Sequence, residues 1–173
     1  QNSVRVEGSK WYNQKPYTLK IEGARLVGFQ TISIVLIRDS NYIKSIDKWI
    51  DKLKNSFYRK IKESILVDVQ LELRKIGKDA TLGDLEPISI NNNEVAVMAI
   101  FTASSQEKAN DSAKLLNPDL LHLALRKNEP MPTFAFPFSP PEIDKGPLFE
   151  FCFHHVIEID NPKNFFNLEF HNT

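Results

Sequence analysis

"VDVQLELR", residues 67–74, alternates without a break: Val67, Val69, Leu71 and Leu73 take one side, and Asp68, Gln70, Glu72 and Arg74 the other. Successive strand residues point to opposite faces, so this stretch predicts a strand with one buried and one wet face. A wet face belongs to antiparallel sheets, since parallel strands are covered on both sides and read as continuous apolar runs. The fold class then depends on what flanks this strand.

Upstream, "FQTISIVLIRD" (29–39) is β-rich and largely apolar in both parities, as a central strand would be. Asn41 is placed to cap a helix, and Ile43, Ile46, Ile50, Leu53, Phe57 and Ile61 then recur at three- or four-residue intervals as one apolar stripe. Downstream, "IGKDATLGDLEP" (76–87) reads as a long connection and "NEVAVMAIFTA" (93–103) as a second buried strand. Ser104 with Glu107 fits a capping box for the next helix, and Pro118 is placed to start a further short one. The closing strand is "LFEFCFHHVIEI" (148–159). Its alternation assigns Phe149, Phe151, Phe153, His155, Ile157 and Ile159 to the core face, and Glu150, Cys152, His154, Val156 and Glu158 to the other. Residues 4–23 show two short alternating runs around a polar turn, which predicts a hairpin.

The expected fold is therefore α+β: a ferredoxin-like split βαβ (βαββαβ) with an antiparallel sheet and both helices on one face. An N-terminal hairpin and a Pro/Phe-rich segment before the last strand are added to it. Residues 1–28 read as a hairpin or linker and residues 29–173 as a single domain.

The chain has 173 residues, 42% hydrophobic and 25% charged, enough to bury a core. Its longest apolar runs are far too short to cross a bilayer, and it opens on "QNSVRVEG" without an apolar leader. The expectation is a cytoplasmic piece that follows an upstream domain. The single Cys152 excludes an internal disulfide. Charge is uneven: residues 1–63 hold 13 Lys/Arg against 6 Asp/Glu, and residues 64–173 hold 9 against 16. Much of the basic excess lies on the first helix, where Asp47 stands three residues from Lys44 and Asp51 three from Lys48 and next to Lys52. Such spacing predicts local ion pairs on a solvated face, and neither nucleic acid nor membrane is expected as a partner.

"LVGFQTISIVLIRD", "GKDATLGDLEP", "TASSQEKAN" and "FAFPFSPPEIDKGPLFEF" followed by "HH" together resemble, in the same order, the C-terminal part of the acyclic terpene utilisation protein family. The resemblance spans roughly residues 20–160. It implies a cytoplasmic accessory domain linked to breakdown of terpenoid or branched acids, near acyl-CoA chemistry. Such a domain would complete or oligomerise a site formed with an upstream domain, so its own N-terminal domain or a second copy is the expected partner. The resemblance names no catalytic residue and no reaction.

The residues offer several candidate sites. Arg38 and Asp39 end the central strand, where an arginine can grip a carboxylate or phosphate in bidentate fashion; the alternative is pairing and helix capping. Gly77 and Gly83 permit positive φ in a loop that also carries Asp79, Asp84 and Glu86, a carboxylate cluster suited to a cation, to acid–base work or simply to a solvated turn. Phe134, Phe136 and Phe138 lie on a proline-stiffened segment that lines an apolar pocket or packs against protein. Ser139 lacks the small neighbours of a nucleophile elbow and is retained only as a ligand contact. Cys152 and His154 share a face as a thiol–imidazole pair would, yet with His122, His155 and His171 they make a poor zinc set, so no metal or cofactor is expected. A self-sufficient module for a small acid or acyl-CoA, and a pure interaction domain, remain alternatives.

Overall fold

The computed structural model describes residues 4–10, 12, 15–64, 66, 68–87, 92–129, 132, 134–167 and 169. Its elements are β1 (Tyr17–Ile37), α1 (Ser40–Lys44), α2 (Ile46–Lys62), β2 (Gln70–Ile76), β3 (Val95–Ala103), α3 (Gln106–His122) and β4 (Ile143–Ile159), with 3-10 turns at Gly83–Leu85 and Pro162–Asn164. The strands make one four-stranded sheet in the order β2-β3-β1-β4. β3 runs antiparallel to both neighbours, with Ile32 opposite Ile100 and Leu73 opposite Ala99. The class is α+β with an antiparallel sheet. By Cα packing the chain divides into two units, residues 26–149 and residues 1–25 with 150–173.

In the 26–149 unit a single parity of each strand meets the helices. Val35 and Ile37 of β1, Leu71 of β2, and Val95, Val97, Ala99, Phe101 and Ala103 of β3 share one core with Ile46, Trp49, Leu53 and Phe57 of α2 and Leu116 and Leu120 of α3. The expected stripe of the first helix is thus the buried one, although the helix is broken at Ser45, whose φ of −110° and ψ of 22° separate α1 from α2. On β2, Gln70, Glu72 and Arg74 are exposed and Leu71 is buried, as the alternation predicted. That strand begins at Gln70 because Asp68 adopts a left-handed φ of 58°; Val67 lies outside the described residues. Gly28 marks a close approach of β1 to β3, where an added Cβ would stand 2.8 Å from the Ala103 carbonyl oxygen.

Three local expectations shift. Asp39, not Asn41, caps α1, accepting from the backbone N–H groups of Asn41 (2.8 Å) and Tyr42 (3.3 Å). Ser105, not Ser104, caps α3 by accepting from the Lys108 N–H at 3.3 Å. Pro118 lies inside α3 rather than starting a new helix. Pro118 lacks the N–H that would reach the Lys114 carbonyl, and one residue on, the Leu115 carbonyl accepts from Lys60 Nζ of α2 at 3.2 Å. Lys60 also pairs with Asp119 at 2.7 Å, and Ser56 donates to the same carboxylate.

The helix-facing row of β1 is less apolar than its sequence suggests. Thr31 and Ser33 are wholly buried, while Ile32 and Ile34 lie half-buried on the opposite face. α3 partners Thr31: Gln106 Nε2 donates to the Gln30 carbonyl (3.1 Å), Thr31 Oγ1 (2.8 Å) and Asn110 Oδ1 (3.1 Å), and Thr31 bonds Asn110 directly, whereas Ser33 Oγ is buried without a hydrogen-bond partner among the described residues. Burying hydroxyls is tolerable where they find partners.

The Pro/Phe segment packs on its own domain. Phe134 is buried and stands edge-on to Tyr42 (5.0 Å between ring centroids) and Trp49 (5.3 Å), while Ala135 exchanges backbone hydrogen bonds with Leu36. β4 begins at Ile143, earlier than expected, and includes Pro147. As the outermost strand among the described residues, β4 can lose a donor there without breaking a central ladder.

In the other unit the expected first run of the hairpin, Val4–Lys10, carries no strand, and three of the residues between the runs, 11, 13 and 14, lie outside the described residues. The second run is the start of β1, which passes unbroken through the residue-28 boundary. Residues 17–25 of β1 face β4. Glu22 stands 3.8 Å from His154 and Arg25 binds Glu150 at 2.9 Å. A Cβ on Gly23 would meet Phe153 Cβ (3.4 Å) and Cys152 Sγ (4.0 Å). None of the closing phenylalanines is core: Phe149, Phe151 and Phe153 are 59%, 65% and 48% exposed, against the expected burial, and His155 is exposed as well.

Phe134→Ala should cost about 3–5 kcal/mol, because a buried aromatic surrounded by two rings leaves a cavity. Phe138→Ala, at an exposed ring, should stay within about 0.5 kcal/mol. Urea unfolding midpoints of the two variants check both; equal costs would place Phe138 in the core as well.

Candidate functional site

The pairing registers gather the sequence candidates at one end of the 26–149 unit. Ile37 faces Val95 and Ile76 faces Ala96, so Arg38 at the end of β1 and Gly77 at the end of β2 flank the start of β3. Gly77 has φ +92°, and its carbonyl accepts from the Asn92 side-chain amide. A φ of 56° at Asp79 and at Gly83 then folds the loop back, with the Gly83 N–H donating to the Asp79 carbonyl at 3.2 Å. Glu86 closes the 3-10 turn that follows.

Lysines tie this loop to the helices. Lys75 pairs with Asp47 of α2 at 2.7 Å and with Asp79 at 3.8 Å, and Lys78 Nζ donates to the Ile43 carbonyl of α1 at 3.4 Å. The hydrogen bond from Lys75 holds the Asp47 carboxyl below its ordinary range, and Asp47 in turn raises Lys75, with smaller contributions from Asp79 and Asp84. Asp79 is thus half of a loop clamp. Among the described residues no group of three or more His, Cys, Asp or Glu side chains is arranged to hold a metal ion.

Asp39 is occupied by capping α1. Arg38 is different: it is exposed and makes no ion pair or hydrogen bond with any described residue. An unpaired guanidinium at a strand end can bind a carboxylate or phosphate. Phe136 packs partly buried against the core beside Ala135, and Ser139 is exposed and followed by a cis bond to Pro140. His154 and Cys152 belong to the other unit, both exposed; His154 faces Glu22, and Cys152 is a free thiol. His171 lies outside the described residues.

Two features escaped the sequence reading. One is the buried polar set of Thr31, Gln106, Asn110 and, further along α3, Asn117, which donates to Glu142 at 2.6 Å. The helical spacing of Gln106, Asn110 and Asn117 was the available signal. The other is a shallow depression of about 210 Å³ lined by Asn41, Lys44, Ser45, Leu125, Arg126 and Glu129.

Comparison of the chain with family models, with curated proteins and with solved structures finds no match.

The Asp47–Lys75 pair has a defined pH window. A lowered carboxylate adds stability that is complete above its unfolded value and fades as pH falls through the lowered one; a raised lysine keeps its share until alkaline pH. The Asp47 side chain is 66% exposed, so screening limits the pair to about 0.5 kcal/mol. The stability gap between the natural chain and Asp47→Asn should be widest near neutral pH and close in strong acid, as urea titrations at several pH values would show.

Proposed function

We propose that the chain is an accessory interaction domain of ferredoxin-like shape, covered through β4 by its own upstream domain or by a second copy. The strand order β2-β3-β1-β4, with β3 between β1 and β2, supports the ferredoxin-like reading. The observation that carries the interaction reading is the exposure of Phe149, Phe151 and Phe153 along one strand. Scattered exposed apolar residues are ordinary, but alternate phenylalanines on an edge strand form a liability that proteins leave open where a partner covers it. The resemblance to the acyclic terpene utilisation family supports terpenoid or branched-acid breakdown as the setting, in the cytoplasm.

A second reading, a small-acid or acyl-CoA site, is favoured by the unpaired Arg38 beside the 77–86 loop. It predicts that an acyl-CoA raises the melting temperature of the natural chain and leaves Arg38→Ala unmoved. A flat panel removes it.

For the interaction reading, Phe149→Ser and Phe151→Ser should each change unfolding free energy by no more than about 0.5 kcal/mol. They should also abolish any concentration-dependent sedimentation. A cost above about 2 kcal/mol at either site would show that this chain already buries the ring, and the reading would fail.

A further inference from the structure

The expectation of a neutralised basic helix rested on Asp47 and Asp51 pairing with lysines one turn away, and the structure removes that premise. Asp47 is drawn off to Lys75 of β2. Lys52 turns to the Ala124 and Leu125 carbonyls and Lys60 to Asp119, so the two partly buried lysines of α2 serve the fold. Lys48, Lys54, Arg59 and Lys62 are exposed and make no ion pair or hydrogen bond with any described residue. Asp51 is the one other acid within α2, and it pairs with none of them.

These cations form a track. Lys54, Tyr58 and Lys62 recur at four-residue intervals, which places them along one side of the helix surface with Arg59 next to Lys62; Lys48, six residues before Lys54, lies about 120° round the helix near the line of Arg59, and the exposed Asp51 stands between Lys48 and Lys54. At about 1.5 Å per residue the charges span roughly 21 Å along the axis. Tyr58 lies within the row and is 43% exposed, its ring held edge-on to buried Phe57 at 5.3 Å between centroids.

We infer that the outer face of α2 binds the phosphodiester backbone of single-stranded nucleic acid. Cations in a rigid row neutralise successive phosphates, and an exposed aromatic among them offers a stacking platform for a base. The aromatic separates this occupant from an acidic peptide, which supplies charge without bases to stack. A membrane surface fits less well, because the apolar side of α2, with Ile46, Trp49, Ile50, Leu53 and Phe57, is buried in the domain and unavailable to enter lipid. Recognition would be independent of sequence, since nothing on this face is arranged to read base edges.

Fluorescence anisotropy of a labelled oligothymidine of about 20 nucleotides, titrated with the full chain, tests this. Four neutralised phosphates predict that log Kobs falls with log salt at a slope of about −3. Lys54→Gln with Arg59→Gln and Lys62→Gln should bring the slope to about −1, and Tyr58→Ala should weaken binding roughly tenfold at fixed salt. Lys114→Gln, a cation of α3 paired with Asp111, should change nothing. Circular dichroism keeps the reading clean, and the single Lys62→Gln replaces the triple variant if that one unfolds. No binding at low ionic strength overturns the proposal, as does a slope unchanged in the variants. Polyglutamate or phosphatidylserine vesicles bound as tightly, with Tyr58→Ala harmless, would assign the track to acidic protein or to a bilayer surface instead.

Discussion

A wholly buried indole must hydrogen-bond inside the protein, and the helical layer is arranged around the one that does so. Trp49 donates from Nε1 to the Leu123 carbonyl at 2.8 Å, fixing the C-terminal end of α3 against α2. Its ring meets Phe134 and Tyr42 edge-on, and the Tyr42 hydroxyl accepts from the Leu125 N–H at 3.1 Å. Phe134 in turn seats Ala135 beside Leu36 of β1. Three chain segments distant in sequence thus converge on one side chain. Phe134 and Ala135 are consequently a structural strap.

The candidate sites follow from that arrangement. With α1 and α2 anchored, Asp39 caps α1, and Asp47 and the Ile43 carbonyl are held where Lys75 and Lys78 reach them. The carboxylates of the 77–86 loop are partly consumed by this clamp, which leaves Arg38 as the chemically available group at that end of the sheet. The exposed groups without partners among the described residues are otherwise the phenylalanines of β4 and the cations on the outer face of α2.

What was legible in the sequence was local. The alternation of Leu71 with Gln70, Glu72 and Arg74, and the stripe from Ile43 to Ile61, depend on periods of two and 3.6 that a single segment displays. What escaped depended on partners far along the chain. Thr31 faces inward where Gln106 and Asn110 meet it, whereas its own segment favours Ile32 and Ile34 for that role. The alternation of the closing strand names two faces but not which of them, if either, is covered, and Phe149, Phe151 and Phe153 are exposed because β4 lies at the edge of the sheet. Asp47 left its helix for Lys75 of β2. Of the site candidates, Arg38 and Asp39 were readable as the end of a strand, and the capping alternative for Asp39 is the one the structure shows.

The 150–159 half of β4 is left uncovered by the described residues, while β1 beyond Gly28, β3 and the strap at residues 134–136 are locked into a core. Amide hydrogen exchange followed by mass spectrometry on the dilute chain addresses this most directly. Slow exchange in peptides from β3 and the second half of β1, with exchange faster by orders of magnitude in peptides covering 150–159, is the predicted result. Protection of residues 150–159 equal to that of β3 at the lowest workable concentration would contradict the account.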